Sequence, residues 1–267
     1  MPFTVEPGAI AFLALLGVLY ARAVATLRRR GYAVPAGQQA AWWTGIALTA
    51  AGLTGPVDAL SDDLVLAHMG QHLLIADLAA PFLLIGMRSP VYAFFLPRPL
   101  LVTLARRRRL RRVFRVLRRP WVAVPVWVVI LYGWHFSFTF VAALENPLLH
   151  VAQHMSFLFG AVLVWWSVVE PKRRRLPGDL WKVPYLLGAR ISGMFLGMAL
   201  ILLRSPAYAD YYGDRARDHG LSPLTDQQVA GGMMLGLDLV VMLFAVSFFF
   251  YRSAQEHDRA ERTAAAA

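Results

Sequence analysis

His68 and His72 form an H-x-x-x-H pair, and His150 and His154 form a second. On a helix, residues four apart share a face, so each pair aims two imidazoles in one direction. His135, near the end of the apolar run before the second pair, adds a fifth ring if the three segments meet. Imidazole is the commonest metal-ligating side chain, and Cu, Zn, Ni and Fe all accept it. The chain has no cysteine, which excludes disulfides, iron–sulfur clusters and thiolate sites and leaves His or Met to hold a soft metal. Met69, Met155, Met198, Met233 and Met234 fall at similar depth in their segments. Thioethers favour Cu(I), although packing is the commoner use of methionine.

The elements that position these residues read as transmembrane helices. Of the 267 residues 58% are hydrophobic and 16% charged, against roughly 25% charged in soluble domains. The apolar residues come in nearly charge-free blocks long enough to cross a hydrocarbon core of about 30 Å. The blocks are Gly8 to Leu27, Gln39 to Leu53, Asp63 to Gly86, Pro120 to Ala142, Pro147 to Val169, Pro184 to Leu203 and Val229 to Tyr251. The fold class expected is all-α: a polytopic membrane protein of about seven transmembrane helices forming a single integral membrane domain over 1–267. Pro81 should kink the third helix and Pro125 bend the fourth. Gly231, Gly232 and Gly236 should give the last helix a small-residue packing face, and Thr225 with Gln228 has capping-box spacing for its start.

Charge orients the bundle. Arg28, Arg29 and Arg30 follow the first block and no basic residue precedes it, the reverse of a secretory signal. With the N-terminus outside and the C-terminus inside, 22 of the 27 Lys and Arg lie on the inner side and three, Arg204, Arg215 and Arg217, on the outer. The inner segments are a basic cytoplasmic loop at 87–119, Lys172 to Arg175 with Lys182, and a cytoplasmic tail at 252–267. The external loop at 204–228 and its neighbours carry nine acids, among them Glu6, Asp58, Asp62, Asp63 and Asp226. The net charge of +11 therefore reflects topology and contact with lipid headgroups, not nucleic acid. All five histidines of the two pairs and His135 fall in the outer layer.

Three charges sit inside spans: Asp77, Arg190 and Asp238. Asp77 and Arg190 lie at comparable depth, which predicts a buried ion pair. Asp77 is five residues past His72, about 140° around an α-helix, so it should not join that pair. Asp238 has three open roles: a proton path, support of a metal site, or a bond to a neighbouring helix.

Three ordered motifs resemble the CtaG-like family of caa-type cytochrome c oxidase assembly factors. The first runs from Gly55-Pro56-Val57-Asp58 through Ala67-His68-Met69-Gly70-Gln71-His72 to Ala80-Pro81-Phe82-Leu83-Leu84-Ile85-Gly86. The second joins Trp134-His135, His150, His154, Phe157, Gly160 and Trp165-Trp166; the third is Asp226-Gln227-Gln228 with Gly231-Gly232. Ser137 and Gln153 depart from the pattern, standing where proline and an acid are expected. The resemblance implies a multi-pass plasma membrane protein needed to produce active haem-copper oxidase. It implies copper binding at His68, His72, His135, His150 and His154, with Met69, Met155 and Asp58 as possible accessories. The implied partners are cytochrome c oxidase subunits, an extracytoplasmic copper donor and the lipid bilayer.

Two rival readings follow from the residues themselves. Histidines on facing helices can ligate a b-type haem, and an acidic outer face with buried charges suits a metal or small-solute transporter. A retinal photoreceptor is excluded because the last helix has no lysine for a Schiff base. No nucleophile elbow, phosphate loop or catalytic carboxylate pair is present, so the chain reads as a non-enzyme.

Overall fold

The computed structural model describes residues 7–171 and 179–265, and every regular element among them is helical. Glu6 and Lys172 to Arg175, counted above for orientation, lie outside the described residues. In chain order the elements begin with α1 (Pro7–Arg29), α2 (Ala36–Leu53), α3 (Pro56–Ser61) and α4 (Val65–His72). A π-helical stretch, Leu73–Ala79, joins α4 to α5 (Ala80–Gly86). Three short helices follow: α6 (Val91–Phe94), α7 (Arg98–Arg106) and α8 (Arg108–Leu117). Then come α9 (Pro120–His135), α10 (Ser137–Glu145), α11 (Pro147–Val169) and α12 (Lys182–Leu202). The chain closes with α13 (Ala209–Tyr212), a 3-10 turn (Arg215–His219) and α14 (Pro223–Ala265).

Five helices are long and apolar enough to cross a membrane: Pro7–Arg29, Val65–Gly86, Pro147–Val169, Lys182–Leu202 and Pro223–Glu256. α2 packs beside them against the π stretch and α5 but is less apolar, since Gln38, Gln39, Thr44 and Thr49 interrupt it. The fourth expected span is not one helix. Phe136 leaves helical geometry at φ −63° and ψ 136°, and α9 and α10 meet at 73°. Counted as one broken span, the pair makes a sixth crossing. Hydropathy could not show this break, because the residues on both sides of it are apolar.

α14 begins earlier than expected and runs on past Tyr251. Its start is held by Ser222, whose Oγ accepts from the Thr225 backbone N–H at 3.1 Å. Thr225 is therefore the capped residue and not the cap. The small-residue contact also differs in detail. Gly231 packs directly on Gly197 of α12, where a Cβ on either would strike the other's carbonyl oxygen, while Gly232 and Gly236 face open space.

The π stretch has a local cause. Pro81 has no N–H to donate to the preceding turn, and a local i→i+5 register absorbs the missing bond. α2 accepts the altered helix because Gly45 and Gly52 lie where a Cβ would meet Leu83 and Ile75.

Candidate metal centre

α4, α9 and α11 bring the five histidines together. Imidazole centroids are 4.5 Å apart for His68–His72 and 4.3 Å for His150–His154, the two i, i+4 pairs. Between helices, His68 lies 5.4 Å from His150 and 6.3 Å from His154, and His72 lies 5.2 Å from His154 and 6.5 Å from His135. Two imidazoles on one ion, at about 2.1 Å per nitrogen, place their centroids no more than about 6.5 Å apart. Each of these pairs falls within that span. Among the described residues, no three His, Asp or Glu side chains are already drawn in around one point.

Local structure fixes each ring. Asn146 caps α11, its Oδ1 accepting from the Leu148 and Leu149 N–H groups at 2.9 and 3.3 Å, with Pro147 in the first turn. From that start Gln153, His154 and Phe157 turn into the bundle, while Val151 and Met155 stay exposed. α4 has no local cap. The Asp226 carboxylate, 160 residues away, takes the Val65 N–H at 2.8 Å and the Leu66 N–H at 3.0 Å.

His135 shows the arrangement expected of a ligand. Its Nδ1 lies 2.7 Å from the Leu131 carbonyl oxygen, which can only accept, so Nδ1 carries the proton. Nε2 then presents its lone pair, 3.3 Å from the Met69 sulfur. Metal-ligating histidines typically donate their second N–H to a carbonyl in this way. Neither nitrogen of the buried His72 ring, nor Nε2 of His154, has a hydrogen-bond partner among the described residues. Buried polar atoms are rarely left so. The amide of Gln153 approaches His68.

α10 covers the cluster. Its fully buried Phe140 packs 4.8 Å from His68 and 6.2 Å from His135 and stacks on Tyr208 at 3.9 Å. The Tyr208 hydroxyl donates to the His135 carbonyl at 3.1 Å, and Ser137 ties α10 to the Ala207 carbonyl. Burial pushes the Tyr208 and Tyr212 phenols above their usual range, so both remain hydrogen-bond donors.

Of the accessory candidates, Met69 is in the cluster and Met155 is not. Asp58 accepts from the Gln71 amide at 2.8 Å, one residue before His72, and so braces α4 from α3. The Asp226-Gln227-Gln228 motif is a clasp. Gln227 accepts from the Ala207 N–H and donates to the Leu200 carbonyl, and Gln228 donates to that of Ile201. Sequence reasoning placed Asp226 among the outer acids and in the third motif but gave it no role in holding α4.

A small cavity, about 30 Å³ in volume, lies below the histidines. Met69, His72 and His135 line it together with Asp77, Arg190 and Asp238. Arg190 Nη1 donates to both carboxylates, reaching Asp238 at 2.9 Å, so the expected ion pair is a buried triad. Asp238 thus bonds a neighbouring helix, through space that Gly193 leaves for its carboxylate. Asp77 shares the His72 cavity because the intervening π stretch turns less per residue than the α-helix on which the 140° separation rested.

Two curated relatives, uncharacterized proteins of Mycobacterium bovis and Mycobacterium tuberculosis, are each 26% identical over 261 residues. The alignment covers 93% of this chain but 39% of either relative's length. No solved structure matches the chain. The family described as cytochrome c oxidase caa3 assembly factor matches residues 18–256, spanning the three motifs and every histidine of the cluster. The chain therefore belongs to the cytochrome c oxidase caa3 assembly factor family.

Proposed function

We propose that the chain binds copper at His68, His72, His135, His150 and His154 and passes it to a cytochrome c oxidase subunit during assembly in the plasma membrane. The observation that carries this reading is the approach of His72 and His154, from different helices, to 5.2 Å with nitrogens that no described residue satisfies. The donor set is all imidazole with one thioether, Met69, which suits a soft ion. A b-type haem fits less well. The rings are in mutual contact, leaving no slot for a macrocycle between them. A transporter needs a path through the bundle, and Arg190 with its two carboxylates stands across the cavity below the histidines.

Cu(I) loading of the purified protein tests the reading. Wild type should retain copper, while H68A/H72A and H150A/H154A should each lose it. Equal copper in wild type and both paired variants overturns the proposal.

The same reading places the histidine end outside, with seven spans including α2 and the broken α9–α10 pair. The cysteine-free chain is a ready background for single substitutions. D214C should react with an impermeant maleimide in intact cells, and R109C only after permeabilisation. The reverse pattern removes any extracytoplasmic role.

A further inference from the structure

We propose that the Asp77–Arg190–Asp238 triad is the counter-charge of the imidazole site, holding a soft cation at His72 and His135 through one net negative charge. This rests on the copper reading above.

All three side chains are at most 7% exposed, and two carboxylates share one guanidinium through a single nitrogen. Arg190 Nε and Nη2 have no hydrogen-bond partner among the described residues; the guanidinium instead lies 5.9 Å from the Trp127 and Trp165 rings. If each group carries its ordinary charge, the triad sums to minus one. No other formally charged side chain lines the cavity among the described residues. A buried net charge is unfavourable unless it is compensated. Among the residues lining the cavity, the imidazoles of His72 and His135 with the Met69 sulfur are the groups suited to receive a compensating cation. Neutral imidazoles bring no charge, so a monovalent ion there and the triad together are electroneutral. Ion selectivity then rests on the soft ligands, while the charge below raises affinity for any cation held there.

The distance suits a through-space effect. Five residues separate His72 from Asp77 along a π-helical stretch that rises less per residue than an α-helix, so their axial separation is no more than about 7.5 Å. At that separation and an effective dielectric near 20, one charge alters affinity for a monovalent ion by roughly fortyfold, and for a divalent ion by roughly the square of that. Loss of shape, by contrast, would weaken both ions alike.

The test uses full-length protein in detergent, with Ag(I) and Zn(II) as probes in chelator competition. D238N and D77N each remove one negative charge at different positions, and D77N/R190M/D238N removes the same net charge without leaving any partner unpaired. The expected result is a roughly fortyfold loss of Ag(I) affinity in D77N, a loss of the same sign in D238N, and a loss for Zn(II) that is larger by about the square. Unchanged affinity, a loss confined to one of the two single variants, or equal losses for both ions would overturn the counter-charge role while leaving the copper reading intact. Failure of wild type to bind either Ag(I) or Cu(I) would instead remove the copper reading and this inference with it.

Discussion

R190A should yield almost no folded, monodisperse protein. Both Asp77 and Asp238 depend on the same Arg190 nitrogen, and both are buried between α12, α14 and the π stretch. Removing the cation leaves two like charges facing each other in a buried site. Deleting one member of a buried ion pair costs about 3–5 kcal/mol, a large share of the roughly 5–15 kcal/mol by which folded domains exceed their unfolded states. Here one deletion strands two partners, so the upper part of that range applies. R190K should recover only part of the loss, because the shorter lysine side chain must carry its ammonium to the place that Nη1 now occupies between the two carboxylates.

The decisive comparison is with D77N/R190M/D238N. Replacing a whole buried ionic cluster by neutral groups of similar volume is often neutral for stability, whereas breaking it is not. The triple variant should therefore fold with a melting midpoint close to wild type, although R190A does not. Size-exclusion profiles and thermal unfolding in detergent would show it. Wild-type stability in R190A would mean that the carboxylates are already uncharged, and the triad would lose its place in both fold and site.

What could be read from the residues alone follows the range of the forces involved. The paired histidines were legible because helical spacing is local, and two i, i+4 pairs keep their faces whatever the rest of the chain does. The Asp77–Arg190 pairing was legible because a charge inside an apolar span needs a partner. Asp238 was not assignable to it, since its access depends on the bare backbone of Gly193 across the helix interface. The break at Phe136 was hidden for a related reason. Hydropathy does not mark it; its one sequence signal is Ser137, at a position where the family pattern expects proline, and the contacts that settle α10 come from Ala207 and Tyr208, far along the chain. The π stretch needed both Pro81 and a glycine-lined neighbour, and only the first of these announces itself in the third helix. α2 shows the converse: a bundle position its own hydropathy does not demand.

The least visible of these long-range devices should have the second-largest effect. α4 has no cap of its own; Leu64 before it offers no side-chain acceptor, and the orphan N–H groups of its first turn are taken by Asp226 from α14. Hydrogen bonds to a charged group contribute about 1.5–3 kcal/mol each, and D226A removes two at once while leaving the buried Val65 N–H unsatisfied. A loss of about 3 kcal/mol is expected, with D226N intermediate because its amide keeps one good acceptor. The damage should not stay local. His68 lies within the first turn of α4, so fraying there moves His68 first and then His72, and the facing imidazoles of α11 lose their counterparts. D226A should therefore lower copper retention together with amide-exchange protection over residues 65–72, although Asp226 itself touches no histidine. D214A is the matched control: its carboxylate pairs with Arg217 on the surface, both side chains being more than two-thirds exposed, and it should change neither property. If D226A retained copper while its α4 amides exchanged freely, the histidines would be held by something other than the helix that carries them.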